Sequence, residues 1–164
     1  MPGLRLLGLH LLPVAGLVAS PRRSALAEVT AEGRLTRLEL LGEDEEVLAA
    51  LPPAPALLVV DAPLAVPDED GRRDLEHVLA WCDAGPFPVS RRRMRQVFGG
   101  MRGAGLAARM AAGGREVHET VPDLVLREIA WERDHPADAP PLDLGDYRAR
   151  WIGVRAPAYR AKGA

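Results

Sequence analysis

The stretch Leu57–Arg73, LLVVDAPLAVPDEDGRR, decides how this chain is read. The run from Ala56 to Asp61 is continuously apolar, with Val59 and Val60 adjacent, and ends on one carboxylate. A continuous apolar run of that length, with two β-branched residues in it, predicts a parallel strand covered on both faces. Ligands of parallel α/β sheets bind beyond the carboxyl ends of the strands. Asp61 therefore stands where either a site residue or a turn cap is expected, the cap accepting backbone N–H groups on the way to Pro63.

Working outward, Leu4–Leu12 reads as a strand and Val14–Ala19 as a second short apolar run. Ala25–Thr30 and Leu35–Leu40 alternate apolar with polar residues around Ala31-Glu32-Gly33-Arg34, the pattern of a hairpin. Gly42-Glu43-Asp44-Glu45-Glu46 opens a helix whose first-turn acids suit the helix dipole, and Pro52-Pro53 stops it. Asp74–Cys82 is helical, with Leu75, Val78, Leu79 and Cys82 on one face. Gly85–Gly105 reads as irregular. Leu106–Ala112 is a helix ended by Gly113-Gly114, Glu116–Val121 a short strand, and Pro122 opens a helix to about Glu132. His135–Asp146 reads as loop. This order predicts an α/β sheet with helices on its faces.

Composition limits the alternatives. The chain has 164 residues, suited to a single domain, and 48% are hydrophobic, enough for a packed core. Its formal net charge of −2 means that nucleic-acid binding would need a local basic patch. One such patch exists: Arg91, Arg92, Arg93, Arg95 and Arg102, interleaved with Phe87 and Phe98. A single cysteine, Cys82, excludes an internal disulfide and a cysteine-based zinc cluster, and fits a reducing, cytoplasmic setting. The arginine-rich, lysine-poor composition fits a high-GC genome, as in some thermophiles. The N-terminal stretch has the basic and apolar parts of a secretory signal, but His10 and Pro13 interrupt it. It is expected to be retained, and its apolar run falls short of the roughly 20 residues that span a bilayer.

The segment LLVVDAPLAVPDEDGRRDLE, followed about fifty residues later by VHETVP (Val117–Pro122), resembles a family of predicted nucleases with the RNase H fold. In that family an apolar strand ends in Asp-Ala-Pro, a GRR motif opens the next helix as Gly71-Arg72-Arg73 does here, and a later strand carries Glu-x-x-Pro, as Glu119–Pro122 does. GLVASPRR (Gly16–Arg23), the hairpin and LLGEDEEVLAAL (Leu40–Leu51) look like the family's first half, so the likeness spans roughly residues 14–130. It implies one RNase H-like domain over residues 1–164: a mixed sheet of about five strands with helices on both faces.

The resemblance also implies chemistry. RNase H-type enzymes hydrolyse phosphodiesters with one or two Mg²⁺ or Mn²⁺ ions held by carboxylates. Here Asp61 and Glu119 are the implied metal ligands and catalytic residues. Arg72, Arg73 and the Arg91-Arg92-Arg93 stretch are the implied substrate grip. The first-strand Asp of the family would face Asp61, yet it falls at Val18, or at His10 if the earlier run is the true first strand. Neither is a carboxylate. The family's last Asp has only Asp143 and Asp146 as counterparts. Three readings are carried: a metal-dependent nuclease acting on nucleic acid; a catalytically silent relative that binds nucleic acid or protein; and an unrelated structural or oligomeric module, for example a homodimer, with Trp151 and Ile152 as contact residues. Of the remaining residues, His118 alternates with Glu119 and so points away from it. Cys82 reads as core, and Gly99–Leu106, GGMRGAGL, lacks the context of a phosphate loop.

Overall fold

A computed structural model describes residues 5–11, 24–82, 89–135 and 143–151. The chain divides into two compact units, one formed by residues 1–71 and 89–120, the other by residues 72–88 and 121–164.

The first unit holds a five-stranded mixed sheet. Strands β1 (Arg5–His10), β2 (Ser24–Val29) and β3 (Leu35–Leu41) run antiparallel in succession, while β4 (Ala56–Asp61) and β5 (Glu116–Glu119) run parallel to β1. The strand order is β3-β2-β1-β4-β5. The hairpin forms as the alternation predicts: Gly33 takes φ 78° and donates to the Thr30 carbonyl at 2.9 Å. A positive φ is tolerated there because glycine has no Cβ.

The period of two decides which side chains share a face. On one face Leu7, Leu9, Leu26, Leu58 and Val60 are fully buried against Val47 and Leu51, from helix α1 (Asp44–Ala50) and its C-cap, and against Leu106 and Met110 of helix α4 (Arg102–Ala112). The expectation that β4 is covered on both faces is met on this face only. Val59, on the opposite face, keeps 36% of its surface, and Leu38 and Leu40 of β3 keep more than half of theirs.

The segment expected to be irregular contains helix α3 (Arg91–Phe98). Ser90 caps it by accepting the Arg93 amide at 3.2 Å, and Gly99 closes it in the left-handed region at φ 76°. A serine N-cap, four arginines of good helix propensity and a C-terminal glycine are helix signals that the surrounding glycines mask in the sequence. Helix α4 likewise starts at Arg102, four residues before the expected Leu106.

The second unit contains α2 (Asp74–Trp81), α5 (Pro122–Asp134) and α6 (Leu144–Trp151). Leu79 and Cys82 pack against Val121 and Leu124. Burial pushes the Cys82 thiol up, against a smaller opposing pull from the Arg148 charge, so Cys82 is a core residue, as expected, and a poor nucleophile. Helix α6 occupies the end of the segment expected to be loop. Asp143 caps it, accepting the amides of Gly145 and Asp146 at 2.7 and 3.0 Å. No helix among the described residues is long and apolar enough to cross a membrane.

Candidate functional site

β1 and β4 pair in parallel without stagger, so their last residues, His10 and Asp61, stand side by side on one face. Asp61 Oδ2 lies 2.6 Å from His10 Nδ1. An ionised carboxylate only accepts, so across this contact Nδ1 is the donor. Both side chains reach solvent, His10 with 51% and Asp61 with 35% of its surface.

The pair borders a cavity of about 220 Å³, whose other walls include Pro63, Met94, Phe98 and Arg102. Met94 and Phe98 are four residues apart on α3, hence on one helix face. Arg102 is a wall residue rather than a free cation. Its guanidinium donates to Asp44 Oδ1 at 2.6 Å, to Ser24 Oγ at 3.2 Å and to the Gly42 carbonyl at 3.4 Å, tying α4 to β2 and to the start of α1.

The first turn of α4 reaches the Ala62-Pro63 turn because position 103 is glycine. A Cβ there would lie 2.8 Å from the Pro63 carbonyl oxygen and 3.0 Å from Ala62 Cβ. Gly103→Ala is therefore expected to destabilise. Steric insertion into packed structure costs about 1–3 kcal/mol and outweighs the gain of up to about 1 kcal/mol in helix propensity. Urea unfolding checks the sign, and a stabilised variant would mean the turn yields freely.

Glu119 is not part of this cavity. It pairs in register with Val60, which puts it on the face opposite Asp61, and its Oε2 accepts the Leu64 amide at 2.8 Å. The two acids that the resemblance brings together are thus held apart by strand parity. Val18 lies outside the described residues. His10, the other position offered for the first-strand residue, faces Asp61. Among the described residues no three His, Cys, Asp or Glu side chains cluster as metal ligands. One imidazole and one carboxylate, already bonded to each other, do not fit a pair of hard cations, each of which takes about six oxygen ligands.

Arg91 Nε donates to the Val66 carbonyl at 2.9 Å. Arg92 pairs with Asp70 at 2.8 Å and Arg95 pairs with Glu69. The Arg93 amide donates to the Ser90 cap. In the second unit Arg73 pairs with the buried Glu76, whose carboxylate also reaches back to the Arg73 amide at 2.6 Å. Arg73 therefore serves the start of α2, and Arg72 beside it is exposed. His118 bonds Glu116 at 2.6 Å, two residues away on the same face and away from Glu119, as alternation predicts. Ile152 and the segment after it lie outside the described residues.

Sequence reading missed Met94 and Phe98 as wall residues. Their spacing of four was the available signal, legible only once residues 91–98 are read as a helix.

The fold and the site define a mixed α/β protein with a His–Asp pair at the carboxyl ends of two adjacent parallel strands. Comparison of the chain with protein-family models, with curated proteins and with solved structures found no match.

Proposed function

We propose that this chain is an RNase H-like relative that binds nucleic acid and does not carry out metal-dependent phosphodiester hydrolysis. The order β3-β2-β1-β4-β5, with three antiparallel strands followed by two parallel to the first, supports the RNase H-like reading already implied by the Asp-Ala-Pro, GRR and Glu-x-x-Pro motifs. The observation that carries the functional reading is His10 facing Asp61. Two-metal hydrolysis needs carboxylates converging on ions about 3.5–4 Å apart. An imidazole at one position and a Glu119 turned to the other face remove that convergence.

The basic helix α3 supports the binding half of the reading. In the Arg92–Asp70 and Arg95–Glu69 pairs every side chain is more than half exposed. Exposed pairs of this kind contribute about 0–1 kcal/mol, so a phosphate can replace the carboxylate at small cost.

The test is anisotropy of a labelled single-stranded oligonucleotide over a range of salt, with a parallel cleavage assay in Mn²⁺. The expected result is binding that weakens linearly on a log–log salt plot, with the strand left intact. Cleavage in Mn²⁺ that disappears in Asp61→Asn would restore the nuclease reading. Absence of binding at low salt would remove the nucleic-acid reading altogether.

A further inference from the structure

We propose that the outer edge of β3 pairs with the same strand of a second copy of this chain, antiparallel and about a two-fold axis at Leu38. The surface is separate from the His10–Asp61 cavity, and the proposal does not depend on the nucleic-acid reading.

The edge is open. β3 ends the strand order, and no described strand pairs with it on the side away from β2. An edge strand presents a row of unpaired N–H and C=O groups to any strand that approaches. Shortness, proline and lysine are common protections; β3 has seven residues and neither proline nor lysine. Leu38 and Leu40 are more than half exposed. Their neighbours across the sheet are small: Ala27 and then Gly8 beside Leu38, Ala25 beside Leu40. The two leucines therefore stand above that face.

The charges select the occupant. Arg37 and Glu39 flank Leu38 on the other face, the one on which Leu26 is buried, because Glu28 pairs with Arg37 and Leu26 with Glu39. A charge on the inner face of an edge strand normally discourages a partner strand. Opposite charges two positions apart behave differently towards a copy of themselves. In an antiparallel pair centred on Leu38, Arg37 lies opposite the partner's Glu39, and Glu39 opposite the partner's Arg37. Centring on Arg37 or on Glu39 opposes two like charges, which is destabilising. A slip of one residue turns every side chain to the wrong face. The register centred on Leu38 alone satisfies both charges, and it sets Leu38 against the partner's Leu38. The same patch meets itself, as a two-fold interface requires.

The bonds already made by this pair are compatible with a second copy. Arg37 Nη2 donates to Glu39 Oε2 and Nη1 to the Ala50 carbonyl, both at 2.6 Å. The guanidinium has further N–H donors and the carboxylate a second oxygen, so new bonds add to the old ones. Both side chains reach solvent. The register of β3 on β2 shifts between Glu28 and Val29, which confines regular pairing to Arg37–Leu41. The contact is short and belongs at the weak end of specific interfaces; dilute protein is monomeric.

The experiment is sedimentation equilibrium on the full chain from about 1 to 100 μM, a range that spans weak association. Native protein is expected to rise from 17.7 kDa towards twice that mass. Arg37→Glu and Glu39→Arg each set like charges across the axis, and each is expected to weaken association about tenfold or more. An equal mixture of the two variants is expected to restore it, because the glutamates of one then oppose the arginines of the other.

Native protein that stays at 17.7 kDa throughout overturns the proposal, and binding of a labelled LTRLELL peptide by that monomer would give the edge to a peptide strand instead. A dimer unchanged by either swap, or a mixture of folded variants that stays monomeric, also overturns it. Should a variant fail to fold, hydrogen exchange on the native chain decides. Protection of β3 amides that grows with protein concentration supports the pairing, and protection that is the same at both ends of the range refutes it.

Discussion

Leu58→Ala is expected to lower the stability of this protein by about 2–5 kcal/mol, the cost of opening a cavity in a packed core. Leu58 has no exposed surface and sits in β4, the strand between β1 and β5. It belongs to the cluster that joins Leu7 and Leu9 to Leu106 and Met110. Truncation there removes dispersion contacts with the sheet and with α4, and the neighbouring backbone is held by strand pairing on both sides. The matched control is Leu38→Ala, in the same sheet but 64% exposed, which is expected to stay within about 0.5 kcal/mol of native. Urea unfolding gives both numbers, the loss appearing as a lower midpoint at unchanged slope. Equal effects at the two positions would mean that the sheet face assigned to the core is wrong.

The second large effect is a gain. His10→Asp is expected to raise the affinity of the protein for Mn²⁺ above that of the native chain. The substituted side chain would face Asp61 directly, because β1 and β4 are in register at their last residues. Without metal the variant should be less stable than native, since it replaces a His–Asp hydrogen bond with two adjacent carboxylates. Adding Mn²⁺ to about one hundred times its dissociation constant should then raise stability by about 2.7 kcal/mol, because the ion binds only the folded state. Thermal unfolding with and without Mn²⁺ measures both steps. A comparable Mn²⁺ shift in the native protein, lost in Asp61→Asn, would show that His10 and Asp61 already hold a cation and would overturn the non-hydrolytic reading.

The two halves of the candidate site were not equally legible in the sequence. Asp61 stood out because an apolar run ending in a lone carboxylate is a local pattern. His10 was legible as one of two positions for the first-strand residue; the pairing of β1 with β4 supports it. Glu119 was also visible as a motif residue, but its side of the sheet depends on register. A shift of one residue in the pairing of β5 with β4 reverses which face a carboxylate occupies, and no local pattern encodes that shift. The arginine stretch was visible as charge. Its partners Val66, Glu69 and Asp70 are more than twenty residues away and appear only in the folded chain. Met94 and Phe98 were hidden because glycines on either side made a capped eight-residue helix read as loop.

By itself the amino-acid order determined the strands, the hairpin, most of the helices and the presence of an acid at the end of β4. These depend on periodicity, turn residues and caps, which act over a few neighbouring positions. Only the tertiary structure decided that Asp61 meets an imidazole and not Glu119, and that α3 walls a cavity beside it. Strand register and helix docking join residues far apart along the chain, and they follow from burying one whole face of the sheet at once.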